Sequence, residues 1–209
     1  MTKLAKPAAF FDSIRKGNLL GPALTTDEVK GCEAILKACG NANWPVGWTA
    51  YALATAYHET AHTMQPIKEL GGTAYFIRMY DIKGNRPTLA KAHGNTTPGD
   101  GAKYFGRGYV QLTWKDNYAK AEKLVPIPGL VANPDLALTV DNASKIMIRG
   151  MSEGWFTGKS CGTYMSKTGP ATTAQFTNAR RIINGVDKNT TIAEYANQFQ
   201  AALLIGGWA

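Results

Sequence analysis

Two glutamates and two histidines are the residues in this chain best suited to chemistry. Residues 58–62 read His58-Glu59-Thr60-Ala61-His62, and a second carboxylate, Glu69, follows ten residues after Glu59. Two carboxylates in unlike surroundings can divide acid and base work. Inverting glycoside hydrolysis uses such a pair, one carboxyl protonating the leaving oxygen while the other activates a water lying between them. Glu59 closes a run without charge, so apolar walls are expected around its carboxyl, an environment suited to a general acid. Glu69 lies beyond Pro66 in a glycine-rich stretch where solvent has access, an environment suited to a general base. Spacing alone is a weak signal, because seven Glu and eight Asp offer many pairs and most charged residues belong to a solvated face.

The same five residues spell H-E-x-x-H. On a helix, two histidines four apart share a face and can hold zinc, with the glutamate as base of a peptidase or amidase. A catalytic zinc needs a third protein ligand. The longer H-E-x-x-H-x-x-G-x-x-H form fails, because Gln65 and Lys68 occupy the positions of its glycine and last histidine. His93, the one other histidine, sits in a glycine- and threonine-rich loop, and Glu69 could serve only if the chain reverses at Pro66. The plainer expectation is that His58 makes a hydrogen bond at a helix end and His62 falls one turn on by chance.

Helices must position these groups. Thr25 and Glu28 have capping-box spacing, followed by an apolar stripe through Val29, Cys32, Ile35, Leu36 and Cys39 that Gly40 stops. Next, Val46 to Tyr57 carries no charge, and a helix apolar on every face belongs in a core. Residues 66–111 are punctuated by Gly71-Gly72, Gly84-Asn85, Arg86-Pro87, Pro98-Gly99-Asp100-Gly101 and Gly106-Arg107-Gly108. They predict a long functional loop with short strands at 73–80 and 108–112. Helices are expected again near 114–124, 141–156, 173–183 and 191–204, the last opened by a second capping box at Thr191 and Glu194.

Composition narrows the class. Hydrophobic residues make up 44% of the 209 and charged residues 18%, enough for one buried core. Lys and Arg number 23 against 15 Asp and Glu, a net charge of +8, which suits a polyanionic partner. No apolar run approaches the roughly 18 residues of a membrane helix. The opening MTKLAKPAAFFDSIRK is broken by Asp12 and Arg15 and is not read as a signal peptide. Three cysteines, Cys32, Cys39 and Cys161, fit neither a disulfide framework nor a metal spacing and suit a reducing compartment or small core positions. Thr157-Gly158-Lys159-Ser160 imitates the end of a phosphate-binding loop, but Glu153 stands where its first glycine belongs. Gly106-Arg107-Gly108 is read as a tight turn rather than a phosphate contact. Most of the five Trp and nine Tyr are expected in the core, with Trp114 and Tyr118 as candidates to stack on sugar faces.

Several blocks in order, LATAYHETAHTMQPIKE, YFGRGYVQLTWKDNY, NPDLAL, RGMSEGWFTG and ARRIINGVD, resemble glycoside hydrolase family 19, which includes plant chitinases and bacterial and phage cell-wall lysozymes. The resemblance runs from about Phe10 to Leu204. It implies that Glu59 is the general acid and Glu69 the general base. It implies that Thr113 helps hold the attacking water, and that His58, Gln111, Asn117, Tyr118 and Asn184 line the substrate site, with a looser match at Lys159. The implied fold is mainly α with some β, a lysozyme-like, two-lobed helical domain with a small β-sheet and a central cleft. The family uses no metal or other cofactor. Some positions depart from it: Val186 stands where a second glycine is common, the arginine of the plant enzymes' last helix falls near Tyr195, and the plant disulfides have no counterpart.

Residues and resemblance together give the expectation of a single catalytic domain, 1–209, without a separate wall-binding or carbohydrate-binding module. The expected activity is inverting cleavage of β-1,4 bonds in peptidoglycan glycan strands, with chitin as the alternative substrate and the zinc peptidase as the remoter one. Size, charge and the absent export signal suggest a bacteriophage endolysin with antimicrobial action. It would be a monomer made in the host cytoplasm, reaching the periplasm and cell wall after holin-type release. Its expected partners are peptidoglycan and anionic envelope polymers, with neither nucleic acid nor stable membrane insertion.

Overall fold

The computed structural model describes residues 3–21 and 23–209; Met1, Thr2 and Pro22, the first two of which open the N-terminal segment read above, lie outside the described residues. The chain divides into two compact units, residues 1–65 with 147–209 and residues 66–146.

The first unit begins with α1 (Pro7–Lys16), α2 (Thr26–Asn41) and α3 (Val46–Glu59). The capping box of α2 forms as expected: Thr25 Oγ1 accepts from the Glu28 N–H, and the Glu28 carboxylate accepts from the Thr25 N–H at 2.7 Å. Eleven residues of α3 are buried, in keeping with its uncharged sequence. The helix stops after Glu59. Thr60 turns its hydroxyl back onto the Ala56 carbonyl at 2.7 Å, and Ala61 and His62 take left-handed φ of 49° and 72°. The chain then turns inward to bury Met64.

The second unit opens with β1 (Ile67–Lys68), then α4 (Thr73–Tyr80), α5 (Pro87–Ala92), α6 (Asp100–Lys103), β2 (Arg107–Gly108) and α7 (Lys115–Leu124), followed by a 3-10 turn, Pro134–Leu138. Strands β1 and β2 pair antiparallel, Ile67 with Gly108 and Lys68 with Arg107. The strand expected at 73–80 is a helix instead. Phe76 and Tyr80 stand four apart, the spacing of one helix face. Phe76 stacks on Phe105 at 4.0 Å. The strand expected at 108–112 shrinks to β2 and an isolated Arg107–Leu112 bridge, and the long loop proves to hold three short helices.

Arg107, the arginine of the glycine turn, points inward. Its side chain is 6% exposed, and it reaches Asp135 at 2.7 Å, the Lys103 and Phe105 carbonyls and the Tyr118 hydroxyl. The guanidinium thus satisfies carbonyls that a turn packed this tightly would otherwise bury unpaired. Asp81 is the other internal tie. Burial works to raise its carboxyl, but N–H groups of Lys83, Gly101 and Gly99 outweigh it and hold the group below the ordinary range.

Helix α8 (Val140–Glu153) contains the second boundary between the units, and α9 (Cys161–Tyr164), α10 (Thr173–Ala179), a 3-10 turn (Arg180–Ile182) and α11 (Asn189–Ile205) complete the first unit. Helix α11 lies along α3 and also packs on α1 and α10. Its buried stripe is Ile192, Ala193, Ala196, Phe199, Ala202 and Leu203. Both helices bury small residues, Ala50 and Ala54 on α3 and Ala193 and Ala196 on α11, which suits close helix packing. The second capping box does not form. The Ile192 N–H already bonds the Lys188 carbonyl at 3.0 Å, so α11 starts earlier and Thr191 lies inside it. The three cysteines are buried free thiols, matching the core expectation. No helix among the described residues is long and apolar enough to cross a membrane.

Candidate active site

In the first unit, Glu59 ends the core helix α3. Its carboxylate is 20% exposed and forms an ion pair, through Oε1, with Nη1 of Arg180, whose side chain is 3% exposed. This corrects the expectation of apolar walls: a helix uncharged along its length meets a buried cation at its last residue. Arg180 comes from the 3-10 turn that ends α10, and its Nε donates to the Asp187 carbonyl at 3.0 Å. The guanidinium is thereby fixed from two sides, and it fixes one carboxylate oxygen in turn. Sequence reasoning missed Arg180. The available signal was an arginine pair flanked by Ala179 and Ile182, where one member had to face inward.

His58, half-buried, carries an imidazole pushed down by burial; Glu59 opposes that shift, while Arg180 and His62 add to it. His62 is not on the helix. It is exposed, its ring stacks on Tyr57 at 4.2 Å, and its Nε2 lies 3.4 Å from the Tyr195 hydroxyl. The one-face geometry that the zinc alternative needs therefore does not form, because the helix ends between the two histidines. Among the described residues no cluster of three or more His, Cys, Asp or Glu is disposed to hold a metal. Tyr195, where the plant enzymes' arginine would fall, is engaged with His62 and Tyr57, and Arg180 holds Glu59 from another segment. Asn184 is exposed just after the 3-10 turn, its Oδ1 accepting the Gly185 N–H at 2.8 Å. Lys159 is exposed in the loop before α9.

In the second unit, Glu69 follows β1 directly and is half-buried. Its Oε1 accepts from the Tyr80 hydroxyl at 2.6 Å and more distantly from Tyr75 at 3.4 Å; its Oε2 accepts from the Gly106 N–H at 3.1 Å. A side chain at 106 would place its Cβ 3.1 Å from that oxygen and 2.9 Å from Gln111 Oε1, so it would have to displace the ends of both side chains, the Glu69 carboxylate included. Gln111, at φ 51°, donates to the Gly108 carbonyl at 3.2 Å. Thr113 Oγ1 donates to the Gln111 carbonyl at 2.7 Å, and Asn117 Nδ2 donates to the Thr113 carbonyl at 2.8 Å. Each of these three side chains is thus tied to a backbone carbonyl of the segment 108–117.

Tyr118 differs from expectation. Tyr118 is 0% exposed, donates to the Phe105 carbonyl at 2.8 Å and accepts from Arg107. It belongs to the core of this unit and presents no face to a sugar, because the helix turn that exposes Asn117 buries its neighbour. Trp114 is half-buried, with His93 stacked on its ring at 5.1 Å and the Arg86 guanidinium 5.9 Å from the ring centre.

No protein-family model matches the sequence, and no curated protein does either. Solved structures do. Chitinase C from Streptomyces griseus HUT6037 superposes with a TM-score of 0.61 at 23% identity, over 98% of this chain and 77% of that one. A mutant of chitinase C gives 0.56 with the same identity and coverage. A bacterial family 19 chitinase gives 0.53 at 21% identity, over 99% of this chain and 96% of that one. The backbone of this chain therefore has the fold of the family 19 chitinases, mainly helical with a two-stranded sheet.

Proposed function

We propose that this protein is an inverting glycosidase that cleaves β-1,4 bonds of peptidoglycan glycan strands, with Glu59 as general acid and Glu69 as general base. The observation that carries the reading is that each glutamate is held by dedicated polar groups, Glu59 by a buried arginine and Glu69 by a tyrosine and a backbone N–H, on a chitinase fold. Arg180 occupies Oε1 of Glu59 and leaves Oε2 to carry the proton. That proton passes to the glycosidic oxygen as its bond to the anomeric carbon breaks. Glu69 Oε2 keeps a lone pair beside its Gly106 hydrogen bond and takes a proton from the water attacking the opposite face. The hydroxyl of Thr113 helps place that water. Inversion of a β-linked substrate yields an α-anomer.

His58, Gln111, Asn117 and Asn184 bind the glycan. The +8 charge favours encounter with an anionic envelope, which selects peptidoglycan over neutral chitin. Chitin is the second reading, favoured by the names of the solved neighbours. The same considerations suggest a phage endolysin acting as a monomer on the wall after release from the cytoplasm. Digestion of purified peptidoglycan, with mass spectrometry of the products, tests the reading. New reducing sugar ends on intact peptide stems are expected. Cleaved stems on intact glycan, or cleavage of chitin alone, would overturn it.

A further inference from the structure

The base is held by a side chain that no motif assigns. Of the two phenols on Glu69 Oε1, Tyr75 stands at 3.4 Å and Tyr80 at 2.6 Å; only the second has the length of a charge-assisted O–H···O⁻ bond. Glu69 is followed by exposed Leu70, Gly71 and Gly72, so its carboxylate is held by these hydrogen bonds from other segments and not by the residues next in sequence. Tyr80 is itself tied down. Its ring meets the edge of Trp114 at 5.0 Å and 88°, the Arg86 guanidinium lies 5.6 Å from its centre, and its carbonyl accepts from Asn95 at 2.9 Å. Burial, reinforced by Glu69, pushes the Tyr80 phenol up, so it remains a donor.

Trp114 has φ 77° and ψ 141°, a region of backbone space nearly confined to glycine. Such an outlier persists only where its surroundings over-determine it, and it clusters at functional sites. Here the Trp114 N–H bonds the Tyr104 carbonyl at 2.9 Å, and the ring lies on His93, which Asp116 anchors at 3.0 Å.

We infer that Tyr80 is the positioning residue of the base, and that Trp114 acts on Glu69 through Tyr80 rather than as a surface for sugar stacking. The inference rests on the reading of Glu69 as the base. Its test is steady-state kinetics of the full chain on soluble, uncrosslinked peptidoglycan strands, comparing Tyr80→Phe, Glu69→Gln and the double variant. Phenylalanine keeps the ring against Trp114 and removes only the donor, and urea unfolding of each variant verifies the folded fraction. Tyr80→Phe is expected to lower kcat about 10–100-fold, the fold-change of one lost hydrogen bond to a charged group, with KM unchanged within about two-fold. In the Glu69→Gln background the same change should cost almost nothing more, because a residue acting through the base has nothing left to position.

Trp114→Leu is the second variant. It should also lower kcat with KM kept, and should be non-additive with Tyr80→Phe. Independent, multiplying losses, or an unchanged kcat in Tyr80→Phe, would overturn the role of Tyr80. A raised KM with kcat intact in Trp114→Leu would make Trp114 a sugar contact. Wild-type turnover by Glu69→Gln would instead strike the base assignment itself, and this inference with it.

Discussion

Glu59 and Glu69 are held by opposite means. Glu59 ends a helix buried along nearly its whole length and is paired with a buried cation. Glu69 follows a two-residue strand and accepts from a phenol and a backbone N–H, both neutral. The first arrangement ties Glu59 to its unit's core, so disturbing its holder disturbs folding. The second places Glu69 on light scaffolding whose elements are two to eight residues long, so disturbing its holder mainly misplaces one carboxylate. One half shares its energetics with the fold, and the other half with the site.

The largest expected effects test whether both carboxylates are essential. Glu59→Gln and Glu69→Gln should each lower glycan cleavage by roughly 10²–10⁴-fold, the contribution of a general acid or base, with urea midpoints showing folded protein. Reducing-end release measures the loss, and near-normal turnover by Glu59→Gln would move the acid elsewhere in the chain.

Next come the holders, where the contrast becomes quantitative. Arg180→Ala removes the Glu59 ion pair and the Asp187 hydrogen bond from a buried position, and should cost about 2–4 kcal/mol of stability as well as activity. Tyr80→Phe, which removes one hydrogen bond to a half-buried carboxylate, should cost only about 1.5 kcal/mol, the low end for a bond to a charged group. Equal shifts in urea midpoint for the two variants would erase the distinction between the halves. Arg180→Lys should not restore activity, because an ammonium cannot reproduce the two-sided guanidinium geometry.

A smaller effect concerns charge. Surface attraction is screened within about 8–10 Å at physiological salt. Added salt should therefore slow lysis of permeabilised cells more than cleavage of a short neutral oligosaccharide. Equal sensitivity would remove charge from the account of substrate choice.

The smallest expected effect is the pH dependence from His58. Burial lowers its imidazole below the ordinary 6.5, so the folded chain binds fewer protons than the unfolded chain in that range. The contribution to stability is present above pH 6.5 and is lost as the pH falls from there through the lowered folded value. Unfolding midpoints should therefore drop more steeply on acidification for the wild type than for His58→Gln, and parallel curves would contradict the assignment.

How much of this was legible in the sequence depended on how far each feature was local. Helix α3 and the α2 cap were readable because an uncharged run and a capping box are complete within a few residues. The motif blocks carried the fold. Residues 73–80 misled because the glycine and proline punctuation around them marks a loop, whereas the four-residue spacing of Phe76 and Tyr80 marks a helix face. The second capping box misled because Lys188 already supplies the first helical acceptor. The apolar neighbours of Arg180 mark an inward-facing arginine, but its partner Glu59 lies 121 positions away, and no local pattern names the partner of a tertiary ion pair. Tyr118 was misplaced because adjacent helical residues face different directions: Asn117 stays partly exposed while Tyr118 is in the core.

The central claim is that Glu59 and Glu69 perform inversion across a β-1,4 bond. Proton NMR of the fresh product, recorded before mutarotation, tests it most directly. The account predicts the α-anomer as the first signal at the new reducing end. An initial β-anomer would show retention and would contradict the role of Glu69 as a base acting through water.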